Sequence, residues 1–163
     1  MFIVTYINYP AFDPFGFYFN ADSLIFSANI DVMTLLAFFI ITLPATFTTA
    51  NITFANNICD IEWDKGRRFT MPHHIGLKKS LYFFAALYYA TYAAILTGWL
   101  IGALPVWSLF TLLTIIIIQK NIRAFFKKQK KPDTFVLAIN NFMLIISVFG
   151  LTLFIAGIFE YWL

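Results

Sequence analysis

Apolar residues dominate four long stretches of this chain, and polar residues gather in the gaps between them. The stretches run from about Val32 to the Asn56-Asn57 pair, from about Ser80 to Leu100, from about Ala103 to Gln119 and from about Thr134 to Phe159. A helix needs about 20 mainly apolar residues to cross the hydrocarbon of a bilayer. The pattern therefore predicts an all-α membrane protein with about four transmembrane helices, spanning residues 31–163. Residues 1–30 are too interrupted to cross, because Pro10, Asp13, Pro14, Gly16 and Asp22 punctuate them. Their aromatic run, Phe15-Gly16-Phe17-Tyr18-Phe19, suits an interfacial segment lying along the outer face. Residues 1–9 are apolar but short, and read like the tail of a helix whose beginning is missing.

Charge fixes an orientation on this pattern. All 11 Lys and Arg residues fall in two gaps. The gap 60–79 holds Lys65, Arg67, Arg68, Lys78 and Lys79, and the gap 120–133 holds Lys120, Arg123, Lys127, Lys128, Lys130 and Lys131. Positive charge in short loops marks the cytoplasmic side, so both gaps are expected there. The second and third spans supply the two crossings that this requires, and both termini are then expected outside, with the chain multi-pass in the cell membrane.

Composition agrees. The 163 residues are 61% hydrophobic, 20% aromatic and 12% charged, against about 45–50% apolar and about 25% charged in a soluble domain. The net charge of +3 belongs to residues flanking apolar spans, so topology explains it and nucleic acid is not an expected partner. The single cysteine, Cys59, cannot form an internal disulfide and reads as a small apolar residue. No basic leader with a small-residue cleavage site is visible at residues 1–9.

One constellation carries chemistry. Asn56, Asp60 and Asp64 recur every fourth residue. On a helix they share one face, with the two carboxylates roughly 6 Å apart along the axis at about 1.5 Å rise per residue. Such a pair can share Mg²⁺, which typically takes one or two carboxylates together with substrate phosphate oxygens. Lys65, Arg67 and Arg68 follow at once and offer charge for phosphate. A solvated, salt-bridged helix end accounts for the same spacing.

The run Asn56-Asn57-Ile58-Cys59-Asp60-Ile61-Glu62-Trp63-Asp64, followed by Arg68-Phe69-Thr70-Met71-Pro72 and Ile75-Gly76, resembles the second aspartate-rich loop of the UbiA superfamily of intramembrane prenyltransferases. It looks most like the branch that prenylates 1,4-dihydroxy-2-naphthoate in menaquinone biosynthesis. Thr134-Phe135 and Ala138-Ile139-Asn140-Asn141-Phe142 in the last span resemble that branch more weakly. The resemblance implies the C-terminal part of a bundle of about nine helices. It also implies a reaction in which Mg²⁺ assists ionisation of an allylic polyprenyl diphosphate and the cation is captured by an aromatic acceptor. Asp60 and Asp64 would be the catalytic metal ligands, and Asn56 would support them. Beyond what the resemblance carries over, Lys65, Arg67 and Arg68, with Asn57, are candidates for the diphosphate oxygens. The first aspartate-rich motif of the family has no counterpart here. A separately encoded N-terminal half, or self-association, is the partner this implies. The competing reading is a non-catalytic fragment, or a small lipid-binding or assembly subunit of the membrane.

Other residues read both ways. His73 and His74 are adjacent, so on a helix they diverge by about 100° and chelate poorly. The stretch Lys120–Lys131 either fixes topology or binds anionic lipid or a diphosphate. Asn140 and Asn141 either face a cavity or bond between helices. Pro44 is expected to kink the first span. The charge pattern generates one direct test. Cysteine-labelling probes at residues 70 and 129 should report the cytoplasm, and probes at residues 12 and 102 the outside. Labelling of 70 and 129 from opposite sides would overturn the four-span arrangement.

Overall fold

The computed structural model describes residues 15–20, 25–131 and 133–162. The helix tail expected at residues 1–9, and Pro10, Asp13, Pro14 and Asp22, lie outside the described residues. The chain divides into two compact units, 1–39 and 40–163.

In the first unit, β1 (Phe15–Asn20) and β2 (Ile25–Ile30) form an antiparallel hairpin whose register pairs Phe15 with Ile30, Phe17 with Ala28 and Phe19 with Phe26. Apolar residues therefore recur at every second position of β1, the period of a strand. This hairpin is an addition to the helical architecture that the sequence pattern foretold. Asp31 then caps the helix that follows. Its Oδ1 accepts the N–H groups of Met33 and Thr34 at 3.0 and 3.1 Å, and its Oδ2 accepts the Thr34 hydroxyl at 2.5 Å. The Thr34 hydroxyl foremost, with these amides, holds the Asp31 carboxyl below the usual carboxylate range.

Helices account for the rest. They are α1 (Val32–Cys59), the short α2 (Ile61–Asp64) and α3 (Met71–Ile75), α4 (Leu77–Leu100), a 3₁₀ segment (Val106–Thr114) continuing into α5 (Ile115–Lys127), and α6 (Phe135–Trp162). Four helical stretches are long and apolar enough to cross a membrane: Val32–Cys59, Leu77–Leu100, Val106–Lys127 and Phe135–Phe159. The chain is thus an all-α, multi-pass type of membrane protein by architecture. Large apolar side chains such as Leu100, Ile116, Met143 and Phe154 point outward from these stretches, as lipid-facing residues do.

Two boundaries differ from the sequence pattern. The third helix ends at Lys127, not Gln119, so Lys120, Arg123 and Lys127 are helical and not part of a loop. Long basic side chains can extend toward water from an apolar helix, so the first cation does not end the helix itself. The amide of Gln129 then donates to the carbonyls of Phe125 and Phe126 and closes that end. The gap 60–79 in turn contains α2 and α3 and the first residues of α4.

The inward faces are narrow and carry small or polar residues at intervals of three and four. On α1 they are Ile40, Pro44, Thr48, Asn51, Ala55 and Ile58. On α6 they are Ala138, Asn141, Ile145, Phe149, Thr152 and Ala156. Apolar packing gains nothing over lipid in a bilayer, so close backbone approach and polar bonds hold such helices together. The bonds are present. Asn51 Nδ2 donates to the Phe84 carbonyl at 2.9 Å, Tyr92 shares a 2.8 Å bond with the Thr114 hydroxyl, Asn121 Nδ2 donates to Asn141 Oδ1 at 2.6 Å, and the Tyr89 hydroxyl donates to Gln119. An aromatic stack of Phe84 on Phe125, centroids 4.4 Å apart, fills the space between α4 and α5. Helix α1 runs through Pro44, whose carbonyl accepts the Thr48 hydroxyl at 2.6 Å.

The 3₁₀ segment follows the same logic with a different pitch. Its buried residues are Ser108, Thr111 and Thr114, spaced by three, and α5 then buries Ile118, Ile122 and Phe125 at intervals of four and three. Three residues make one 3₁₀ turn, so the three hydroxyl-bearing residues stack on one line. The turn that delivers the chain to this segment is closed at the end of α4. Ala103 N–H reaches the Gly98 carbonyl at 2.8 Å and Gly102 N–H the Trp99 carbonyl at 3.0 Å, with Gly102 at φ +74°. Leu104 folds back onto Gly98, where an added Cβ would lie 2.6 Å from its Cδ1 and 3.0 Å from its Cγ. Gly98→Val should therefore lower stability by about 1–3 kcal/mol in a detergent unfolding titration. Thr111→Val, which removes a buried hydroxyl that has no partner, should leave stability unchanged or raise it.

Candidate functional site

The Asn56–Asp60–Asp64 face lies where α1 ends and α2 begins. Helical hydrogen bonding continues across the junction, from Asp60 N–H to the Asn56 carbonyl at 3.1 Å and from Asp64 N–H to the Asp60 carbonyl at 2.8 Å. The spacing of four therefore does place the three residues on successive turns. Asn56 Nδ2 donates to Asp60 Oδ2 at 3.3 Å, leaving the amide oxygen free to serve as a further donor to a cation. Asn56, Asn57, Asp60 and Asp64 are all partly buried, whereas Lys65, Arg67 and Arg68 are exposed.

The residue that sequence reasoning did not attach to this site is Lys131. Its Nζ lies 2.7 Å from Asp60 Oδ2, with side-chain exposures of 40% for Lys131 and 24% for Asp60. It also stands over the Phe135 ring, 5.5 Å from the centroid. The pair joins the end of α1 to the segment leading into α6, so the two cation-rich gaps occupy the same end of the bundle. The visible signal was the expectation that both gaps share one side; nothing in the sequence named Lys131 as the partner among six cations.

The Asp64 carbonyl accepts the N–H groups of Arg67 and Arg68 at 2.8 and 3.0 Å, turning the chain at the end of α2. Arg67 is drawn to Trp63, its guanidinium carbon 4.8 Å from the ring centroid. Among the described residues the ion pairs are Lys131–Asp60 and Lys128–Asp133, so neither Arg67 nor Arg68 is brought onto the carboxylates. Lys128, at 2.5 Å, holds the Asp133 carboxyl below the usual range by its hydrogen bond and its charge. Any stability from that pair is present above the ordinary carboxylate range and is lost as pH falls through the lowered folded value. Both partners are well exposed, so the contribution is small.

His73 braces the loop. Its Nε2 bonds the Ile61 carbonyl at 2.9 Å, which can only accept, so Nε2 carries the proton. Its Nδ1 accepts the Thr70 amide at 3.3 Å and the Thr70 hydroxyl at 2.8 Å. Both ring nitrogens are thereby engaged. Both histidine rings lie near Phe69, with centroids 6.4 Å away for His73 and 6.2 Å for His74. Of the two asparagines in the last span, Asn140 is exposed, and Asn141 is buried and bonded to Asn121. Cys59 is partly buried and packs against the apolar core.

Two carboxylates and one amide oxygen fall short of the octahedral shell of Mg²⁺, so phosphate oxygens and water would have to complete it. Among the described residues no group of three or more His, Cys, Asp or Glu side chains gathers to bind a metal. The Asp60–Lys131 pair generates a test that needs no metal. Asp60→Lys should lower the midpoint of thermal unfolding, and adding Lys131→Asp should restore most of it. A double-mutant cycle to alanine should give a coupling of up to about 1 kcal/mol that shrinks in high salt.

Searches against protein-family models, curated proteins and solved structures return no match to this chain.

Proposed function

We propose that this chain is the C-terminal part of a UbiA-type prenyltransferase. It would act from the cell membrane with both termini outside and the two cation-rich segments in the cytoplasm. The observation that carries the reading is the Asn56–Asp60–Asp64 face: two carboxylates one helical turn apart, at the end of an apolar span, beside both clusters of positive charge. That combination suits an allylic diphosphate, whose chain belongs in lipid and whose head needs both metal and cations.

Asp60 and Asp64 would hold Mg²⁺, with the Asn56 amide orienting Asp60, and the metal would supply positive charge to the diphosphate as it departs. Lys131 is bonded to Asp60. Its Nζ would turn to the diphosphate oxygens, while Asn57, Lys65, Arg67 and Arg68 would supply positive charge and donors around the same loop. In the reaction the allylic C–O bond breaks, and diphosphate leaves with the electron pair. A ring carbon of an aromatic acceptor such as 1,4-dihydroxy-2-naphthoate bonds to the allylic carbon, and the ring then loses a proton. Several aromatic rings line the interior of the bundle, among them Phe84, Tyr88 and Phe125. Their faces would favour a developing cation.

A second reading, a non-catalytic fragment or a small lipid-binding or assembly subunit, draws support from the same ion pair. Lys131 neutralises Asp60 without any metal, as a purely structural helix end requires. One experiment separates the two. The purified chain alone should show no prenyl transfer, because a second aspartate-rich motif is needed for a complete metal and diphosphate shell. Co-expression with an N-terminal half that carries the first motif should give Mg-dependent transfer, and Asp60→Ala or Asp64→Ala should lower it by at least about a hundredfold. Inactivity in every such pairing, or full activity in both variants, would refute the enzyme reading.

A further inference from the structure

A groove between α4 and α5 is separate from the aspartate face. It encloses about 520 Å³ and is lined by Tyr82, Ala85 and Tyr89 from α4 and by Gln119, Arg123 and Lys127 from α5. Tyr82 meets Phe126 edge-on at 5.7 Å across its floor, and Tyr89 bonds Gln119 further along. A second hollow of about 530 Å³ lies on the other side of the same two cations, and adds Ile116, Lys120 and the small Ala124. Arg123 and Lys127 thus stand on a ridge with a hollow on either flank.

Three features of this ridge belong together. Gln119, Arg123 and Lys127 are spaced by four, so they occupy one face of α5 on successive turns. The linings carry three cations and no carboxylate, and among the described residues no carboxylate pairs with Lys120, Arg123 or Lys127. The helix also begins with four isoleucines, Ile115 to Ile118, before its first cation. The ridge therefore sits where hydrocarbon gives way to headgroups, with Tyr82 and Tyr89 as amphipathic rings beside it.

We propose that the ridge is a binding site for an anionic phospholipid. The phosphate sits between Arg123 and Lys127, and the acyl chains lie in the two flanking hollows toward the isoleucine run. Arg123 is the fork-like ligand for the phosphate and Lys127 the point charge. The site rests on the membrane-spanning architecture alone and stands whether or not the chain takes part in prenyl transfer.

The test is a native mass-spectrometric titration of the full chain in detergent. Phosphatidylglycerol should bind at a defined stoichiometry and phosphatidylcholine should not. The Arg123→Gln/Lys127→Gln variant should bind phosphatidylglycerol about thirtyfold more weakly, from roughly fivefold for each interfacial cation. A Lys78→Gln/Lys79→Gln variant, which removes two cations outside the groove, should bind like the parent. Ala124→Phe fills one hollow without changing charge and should also weaken binding, which keeps the test decisive if circular dichroism shows the first variant to be unfolded. Inorganic diphosphate should not displace the lipid. Equal binding of both lipids, equal loss in the Lys78/Lys79 variant, an unaffected Ala124→Phe variant, or displacement by diphosphate would each overturn the assignment.

Discussion

Hydrocarbon offers no partner to an amide or a hydroxyl, and this constraint organises the bundle from within. The inward faces of the spans mix polar and small residues with packed rings and isoleucines such as Phe84, Phe125, Ile118 and Ile145, and many large apolar residues remain outside. The bonds that join helices are consequently made by Asn51, Tyr89, Tyr92 and Asn121. The interior is not wholly satisfied. Asn51 Oδ1, the Tyr88 hydroxyl, Ser108 Oγ, Thr111 Oγ1 and Asn141 Nδ2 are buried without a hydrogen bond, although the Tyr88 hydroxyl lies against the Asn141 side chain. These orphans lie on the buried faces of α1, α4, the 3₁₀ segment and α6, so polar residues turned inward also carry an energetic cost.

At the cation-rich end the logic reverses. There water and headgroups are available, and side chains can be charged. The Asp60–Lys131 pair ties the first span to the segment leading into the last, and His73 braces the intervening loop, with its Nε2 on the Ile61 carbonyl and its Nδ1 on Thr70. The aspartate face and the α4–α5 ridge share this end but are chemically opposite. One presents carboxylates, and the other presents cations.

The spans were legible in the sequence because length and hydropathy are properties of single segments. The side shared by both basic gaps was legible because charge confinement is a global count, and the Asp60–Lys131 contact agrees with it. The helical placement of Asn56, Asp60 and Asp64 followed from a spacing of four. What was not legible depends on pairs or on pitch. Lys131 could not be chosen among neighbouring cations without knowing which turn faces Asp60. The third helix outran its apolar run because basic side chains bend toward water while the backbone stays helical. The hairpin at residues 15–30 was hidden because its aromatic residues suggested an interface before their alternation suggested a strand. Ser108, Thr111 and Thr114 recur at three, an interval that an α-helical reading blurs into ordinary drift.

That interval sets a depth. A 3₁₀ helix rises about 2.0 Å per residue against about 1.5 Å in an α-helix, so nine residues extend the third span by about 4–5 Å beyond its α-helical length. Recast as an α-helix, the segment would swing one of its three hydroxyl-bearing residues toward lipid and draw Arg123 and Lys127 inward by the same few ångströms. The 3₁₀ segment therefore acts as a spacer: its tighter coil sets how far along the span α5 carries its cations.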